Sequence, residues 1–313
     1  MSGKQSGIGA RFLLAGYDLS GDISALDSIG TTTNLLDVTD ITQSAHSRIP
    51  GLRDGTMSFT SFWDVANATP VLDALPTADV LMEFLVPPLS IGSPAACLQA
   101  KQVNYDPTRA ADGGLTVKTE GQGDGYGLEW GVQLTAGLRT DTADTNGASL
   151  DGGSGFSTPS VPASGTAVTN TSPLPASVVI SGGTVSNVVV NGVSAGTGDG
   201  TYTVPAGQAI TLTYSVAPTW AWTLVSAYGA QCYLQVTAFT GTSVTVEVEE
   251  APDNSTWSAL ATFTAVTAAP AWQRVAVTGN VGRYLRVITT GTFSSATFAV
   301  MINRNQAVAN FAG

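Results

Sequence analysis

The segment 37–64, DVTDITQSAHSRIPGLRDGTMSFTSFWD, gathers the residue types of a hydrolytic site around the single histidine of the chain, His46. The serines Ser44 and Ser47, the acids Asp40 and Asp54 and the arginines Arg48 and Arg53 surround it in sequence. Such catalysis needs a hydroxyl within hydrogen-bond reach of the imidazole and a partner that fixes its tautomer. The spacing selects neither, because the flanking serines diverge on a turn. A second motif, GVSAG at 192–196, matches the G-x-S-x-G nucleophile elbow. That motif requires a strand-to-helix turn around Ser194, then an acid and a histidine downstream. The next residues, TGDGTYTVPAG, read as another turn and strand, and no histidine lies beyond residue 46. In a chain this rich in Gly and Ser the match is a chance one, and the protein reads as no enzyme.

Metal and cofactor chemistry find no better footing. A lone histidine and two distant cysteines, Cys97 and Cys232, give no ligand spacing. The acids of DTADTNG lack the twelve-residue calcium loop and its closing Glu. Both cysteines lie in strand-like runs and read as buried reduced thiols. Aromatic side chains are candidates for stacking on sugars: Trp257 and Trp272 near the C-terminus, with Tyr284, Trp220 and Trp222 behind them. The competing reading for rings at strand spacing is core packing.

The elements that position these residues follow from composition. Of 313 residues, 11% are charged and 43% hydrophobic, with 35 glycines. Abundant Thr, Ser and Val suit short β-strands joined by tight turns. The net charge of -11 and only three lysines exclude strong binding to nucleic-acid phosphates, which takes clustered basic residues. No apolar run approaches the roughly 18 residues of a membrane span, and FLLAG near the start is too short for a signal segment. The expectation is a soluble protein made in the cytoplasm.

Along the chain, residues 1–34 alternate poorly and read as an extended arm. LLDVTDIT and TMSFTSFW read as strands flanking a long turn at 43–55, marked by Pro50-Gly51 and Asp54-Gly55. Thr69 as N-cap and Pro70 as the first helical residue predict one short helix carrying Val71, Leu72 and Leu75, stopped by Pro76. VLMEFLV, apolar on both faces, predicts a central strand. The stretch from residue 141 to about 176 is nearly all Gly, Ser, Thr, Pro, Ala and Asn and reads as a linker. Valine-rich strands with Gly-Gly, Asn-Gly and Gly-Asp-Gly turns then form a compact module over about 177–225. From 230 onward six closely spaced strands argue for a β-sandwich or jelly roll.

Three stretches carry a family resemblance: NLLDVTDITQSAHSRIPGLRDGTMSFTSFWD, GYGLEWGVQLTAGLRTDTADTNGASLD, and the C-terminal run from GAQCYLQVTAFTGTSVTVEVEE to TFSSATFAV. Together they cover about three quarters of the chain. They resemble the major tail (tail tube) proteins of long-tailed phages with actinobacterial hosts. The middle module resembles small β-domains inserted into phage virion proteins. The resemblance implies a mainly β protein: a tail-tube β-sandwich or barrel with one short helix at 1–156, a linker and inserted β-module at 157–226, and a C-terminal β-sandwich at 227–313. Whether that last part is separate or completes the first stays open.

It further implies self-assembly into stacked hexameric rings forming a conduit for DNA, which passes without specific binding. The other partners would be tail terminator, tape-measure and distal tail proteins, with no cofactor and no membrane, in the virion tail. The arm and the long loop would be the joints, with Tyr17, Asp18, His46, Arg48, Arg53 and Asp54 as interface residues. The competing expectation is a capsid-decoration or fibre protein, or a carbohydrate-binding protein using Trp257 and Trp272.

Overall fold

The computed structural model describes residues 6–73, 78–226 and 228–305. The first half of the chain builds β1 (Arg11–Leu14), β2 (Tyr17–Asp18), β3 (Ile23–Asp37), β4 (Arg48–Phe62), helix α1 (Ala68–Leu72), β5 (Val80–Leu85), β6 (Pro94–Arg109), β7 (Leu115–Gly123) and β8 (Glu129–Gln133). All of their pairings are antiparallel, running β2-β1-β5-β6-β8, with the meander β6-β7-β4-β3 branching from β6. The sequence VLMEFL of β5 is buried on both faces, as its unbroken apolar run predicts. Val80 and Met82 join Phe12, Leu14, Met57, Phe59 and Leu98 in one core. Leu81 and Leu85 face the opposite way, into a second.

Three expectations for this half are corrected. Residues 11–14 are a buried sheet strand and 23–37 one side of a hairpin, so the described part of the expected extended arm, 6–34, is built into the sheet; Phe12, Leu13 and Leu14 supply the apolar surface that holds it down. The N-cap position of the helix belongs to Asn67 rather than Thr69, whose side chain is buried. Leu75 and Pro76 lie outside the described residues. The turn expected at 43–55 ends at Ser47, and residues 48–62 are strand. Pro50-Gly51 and Asp54-Gly55 mislead because their glycines serve close approach instead of turn geometry. A Cβ on Gly51 would stand 2.9 Å from Asn34 O at the bulge between Thr33 and Leu35, and one on Gly55 would run into Leu128 N.

Past residue 138 come three very short strands, β9 (Arg139–Asp141), β10 (Thr145–Asn146) and β11 (Leu150–Asp151). The valine-rich module contains β12 (Ala167–Thr169), β13 (Ala176–Ser181), β14 (Thr184–Val190), β15 (Val193–Gly196), β16 (Gly200–Val204), β17 (Ala209–Val216) and β18 (Thr219–Ser226). The rest is β19 (Ala230–Ala251), β20 (Ser258–Thr262), β21 (Ala271–Val277), β22 (Val281–Gly282) and β23 (Tyr284–Arg304). In the module two four-stranded sheets, β12-β17-β14-β15 and β16-β13-β18-β22, enclose Val178, Ile180, Val188, Ile210, Leu212 and Trp222.

Two more readings change here. The stretch from 141 is not all linker: β9, β10 and β11 pair along β23, through short hydrogen-bonded segments that need no apolar alternation. The six C-terminal strands are fewer and longer, since CYLQVTAF and SVTVEVEE are one strand, β19, bent at the irregularity around Gly241. It pairs with β23 over nearly its whole length, and β23 also pairs with β8, so the C-terminal strands join the sheet of the first 156 residues. That fifteen-stranded sheet curls until β19 and β23 lie against β1, β5 and β6. Leu13, Leu81, Leu85, Ala95 and Cys97 then pack on Tyr233, Ala299 and Met301. Beyond β19 and β23 a further core holds Val246, Phe263, Val287 and Phe298. Cys97 and Cys232 are both free and buried, as expected.

The module is fastened to this body by a small polar clamp. Residues Val225 and Ser226 of β18 pair with β22. Arg283 donates to both carboxylate oxygens of Asp151 (2.7 and 2.9 Å) and to Gly153 O (3.1 Å). The guanidinium holds Asp151 below its ordinary carboxylate range. Arg283→Ala leaves Asp151 without its partner, and a loss of about 2 kcal/mol in unfolding free energy is expected. Limited proteolysis should then cut faster between residues 153 and 166 than in the parent protein; an unchanged cleavage rate would show that the clamp holds nothing.

Candidate assembly surface

The most exposed secondary structure is the outer half of the β3–β4 hairpin. Beyond Gly30 and Gly55 the two strands have no other sheet neighbour among the described residues: β7 pairs with β4 only over Thr56–Phe62. Thr31, Thr32 and Thr33, β-branched, keep β3 extended there. The turn at 38–47 is built from polar side chains that bond their own backbone. Thr39 N donates to Asp37 Oδ1 (3.0 Å) and Thr42 N to Asp40 Oδ1 (2.8 Å). Together with the bonds from the same threonines' hydroxyls, they hold both carboxylates below their ordinary range. Leu35, Leu36, Val38, Ile41, Ile49 and Leu52 are all exposed on this projection, Leu52 at 85%. Singly, exposed apolar residues mean little; six on one projecting hairpin make it the candidate contact surface of the chain.

His46 sits on the turn, and its surroundings argue against hydrolysis. Its Nδ1 meets Asp37 Oδ2 at 2.8 Å and Thr39 Oγ1 at 3.5 Å. Carboxylate and hydroxyl thus share one ring nitrogen, whereas a triad places them on opposite nitrogens. Neither Ser44 nor Ser47 offers it a hydroxyl. Ser194 lies in β15, hydrogen bonded to Asn187 Oδ1 (2.7 Å), in a strand hairpin instead of a strand-to-helix elbow.

The predicted interface residues do not form one cluster. His46, Arg48, Arg53 and Asp54 share the hairpin. Asp54 is engaged within the chain, accepting from Gln122 Nε2 (2.7 Å). The guanidinium groups of Arg48 and Arg53 make no ion pair among the described residues. Tyr17 and Asp18 stand elsewhere, on β2; Asp18 is bound to Arg11 Nη1 at 2.5 Å and Tyr17 is exposed. The two tryptophans offered for sugar stacking are also apart. Arg286 lies over the Trp257 ring, 4.3 Å from its centroid, and Trp272 packs against the core between the sheet layers.

Sequence reasoning missed the apolar half of this surface and a long free edge. Along its 15 residues, β3 pairs only with β4, which leaves its other edge without a neighbour among the described residues. A free edge of that length is a template for another strand. The signal was present in the sequence: Leu35, Leu36, Val38 and Ile41 interrupt a polar stretch without the alternation of a half-buried strand.

No protein-family model and no curated protein matches the chain. Among solved structures it is similar to the Dit protein of phage SPP1, described as a paradigm of the hub adsorption apparatus in phages infecting Gram-positive hosts. The match covers 94% of this chain and 99% of that one, at 10% identity and a TM-score of 0.27. At that score the likeness carries no argument about fold or role.

Proposed function

We propose that the chain is a structural virion protein, a phage tail-tube subunit that assembles with copies of itself into stacked rings around a DNA conduit. The observation that carries this reading is the β3–β4 hairpin, a 15-residue edge strand without an outer neighbour among the described residues, joined to a projecting end of exposed apolar residues. Pairing along that edge would join copies side by side, and the projecting end would reach an adjacent layer. The residues that suit such contacts are Arg48 and Arg53, with His46 beside them. The net charge of -11 per copy supports the conduit, since like-charge repulsion lets DNA slide without adhering.

The rival reading, a decoration, fibre or carbohydrate-binding protein, asks for open ring faces. Arg286 lies over one face of Trp257, and Trp272 is partly buried against the core between the layers, so neither ring stands fully open.

Negative-stain electron microscopy of the purified full chain, with sedimentation velocity at rising concentration, tests the proposal. Stacked rings with a central channel are the expected result. Monomers at every concentration, together with glycan binding that is lost on Trp257→Ala, would replace the tube by the rival.

A further inference from the structure

The chain holds two Asn-Gly dipeptides, Asn146-Gly147 and Asn191-Gly192, and one Asn-Ser, Asn254-Ser255. In each, a small following residue leaves its backbone nitrogen open to the side-chain amide carbon of the asparagine. Whether the two can react depends on what else holds that nitrogen, since a backbone N–H tied to an acceptor must first be released.

The structure separates the three. Gly147 N donates to Val287 O (2.9 Å), and Asn146 pairs with Ile288 of β23. Ser255 N donates to Asp253 Oδ1 (2.9 Å). Gly192 N has no acceptor among the described residues, and the Asn191 amide takes part in no hydrogen bond there either. Both residues are exposed, and a Cβ on Gly192 would meet nothing within 4 Å. They form the two-residue tip between β14 and β15, at φ of +51 and +76, as such a tip requires. The strand beyond is lightly held. β15 is an edge strand paired with β14 alone, the register is broken between Val188 and Val189, and Val193, Ser194 and Ala195 are exposed. Swinging the Asn191 amide onto Gly192 N therefore breaks no core contact.

We propose that Asn191-Gly192 is a self-modification site, at which asparagine converts to aspartate and isoaspartate with water as the sole co-reactant. Gly192 N attacks Asn191 Cγ, and the new C–N bond closes a five-membered imide. The N–H proton ends on the departing amide nitrogen, which leaves as ammonia. Water then adds at either imide carbonyl and opens the ring. One opening restores the backbone with a carboxylate on residue 191; the other routes the chain through the side-chain carbonyl and adds a methylene to the turn. Either product adds negative charge to a stretch, 157–226, in which Asp199 is the only charged residue. The longer backbone of the second no longer fits a two-residue tip, so Val190 and Val193 unpair while the core around Val188, Ile210 and Leu212 stays closed. This chemistry is independent of how copies of the chain assemble.

The test incubates the full chain in warm, mildly alkaline water enriched in the heavy oxygen isotope. Peptic peptide mapping with electron-transfer fragmentation follows the three sites and tells isoaspartate from aspartate. Asn191 is expected to convert at least about fivefold faster than Asn146 or Asn254, the ratio set by the net worth of one hydrogen bond. In urea, where no acceptor holds Gly147 N, the two Asn-Gly sites should converge. Asn191→Gly, which tolerates the same φ, should abolish the fast product and leave the urea midpoint where it is. Equal rates at Asn146 and Asn191 in the folded chain would overturn the site, as would an Asn191 that stays intact while Asn146 converts. A ratio that persists unchanged in urea would equally overturn it, because the fold would then have no part in the selection.

Discussion

Glu83→Gln is expected to unfold with a free energy on the order of 5 kcal/mol greater than the parent protein at pH 8.5, and with no advantage near pH 4. Glu83 is fully buried in β5, on the face that meets the opposing sheet layer. Its cross-strand neighbours are Leu13 on β1 and Cys97 on β6, and Glu129 follows one strand further at the same register. Neither Glu83 oxygen has a hydrogen-bond partner, and the Cys97 thiol is directed at Met301 Sδ (3.4 Å). Glu129 differs: the Tyr233 hydroxyl donates to it and Arg274 lies 3.7 Å away.

Burial pushes Glu83 up to about 8 from 4.5. Between those values the folded chain keeps a proton that the unfolded chain releases. Stability from this group is therefore fully present below pH 4.5, falls as pH rises towards 8, and is flat above. Glutamine, neutral throughout, escapes that slope. Urea unfolding of both proteins near pH 4, 6 and 8.5 measures it, and a difference between them that does not change with pH would contradict the assignment.

Gln235→Leu should do the opposite and cost about 3 kcal/mol at any pH. Gln235 is as buried as Glu83 but fully used. Its Oε1 accepts from Gly16 N (2.6 Å), and its Nε2 donates to Leu81 O (3.0 Å). It thus ties β19 to the β1–β2 turn and to β5 across the layers. Gly16 is required there, at a φ of +86 and with Ala271 N only 2.5 Å from where a Cβ would stand. Leucine would fill the volume and leave the Gly16 N–H buried without an acceptor, which is the expensive outcome. A urea midpoint equal to that of the parent protein would mean that the bridge contributes nothing.

How far this was legible depended on whether a signal was local. The β class followed from Thr, Val and Gly content, and β5 from VLMEFLV. The short strands between residues 176 and 226 followed from their turn dipeptides, whereas the pairing of β18 with β22 did not. The hairpin tip did not, because Gly51 and Gly55 look like turn residues in sequence, whereas packing against Asn34 and Leu128 requires them. β9, β10 and β11, two or three residues each, owe their existence to β23, which begins at residue 284, and no window around residue 145 contains that partner. Arg48 and Arg53 recommend themselves by charge, and the structure leaves them without an ion pair among the described residues. Asp18 and Asp54 recommend themselves on the same ground and serve bonds within the chain. Side-chain type alone cannot separate the two cases.

The pairing of β8 with β23, and the bridge from Gln235 back to Gly16, have a consequence for synthesis. On the ribosome, β1 to β8 emerge with Leu13, Leu81 and Cys97 facing nothing, since their cover of Tyr233, Ala299 and Met301 is translated much later. At about 5–20 residues per second, that interval is roughly 10–30 s for the residues between β8 and the end of β23. The module, whose contacts are nearly all local, can fold within it and keep the growing chain compact. The sheet of the first half is completed only when its last strand arrives, so a chain truncated before β23 would leave Leu13, Leu81 and Cys97 without their cover.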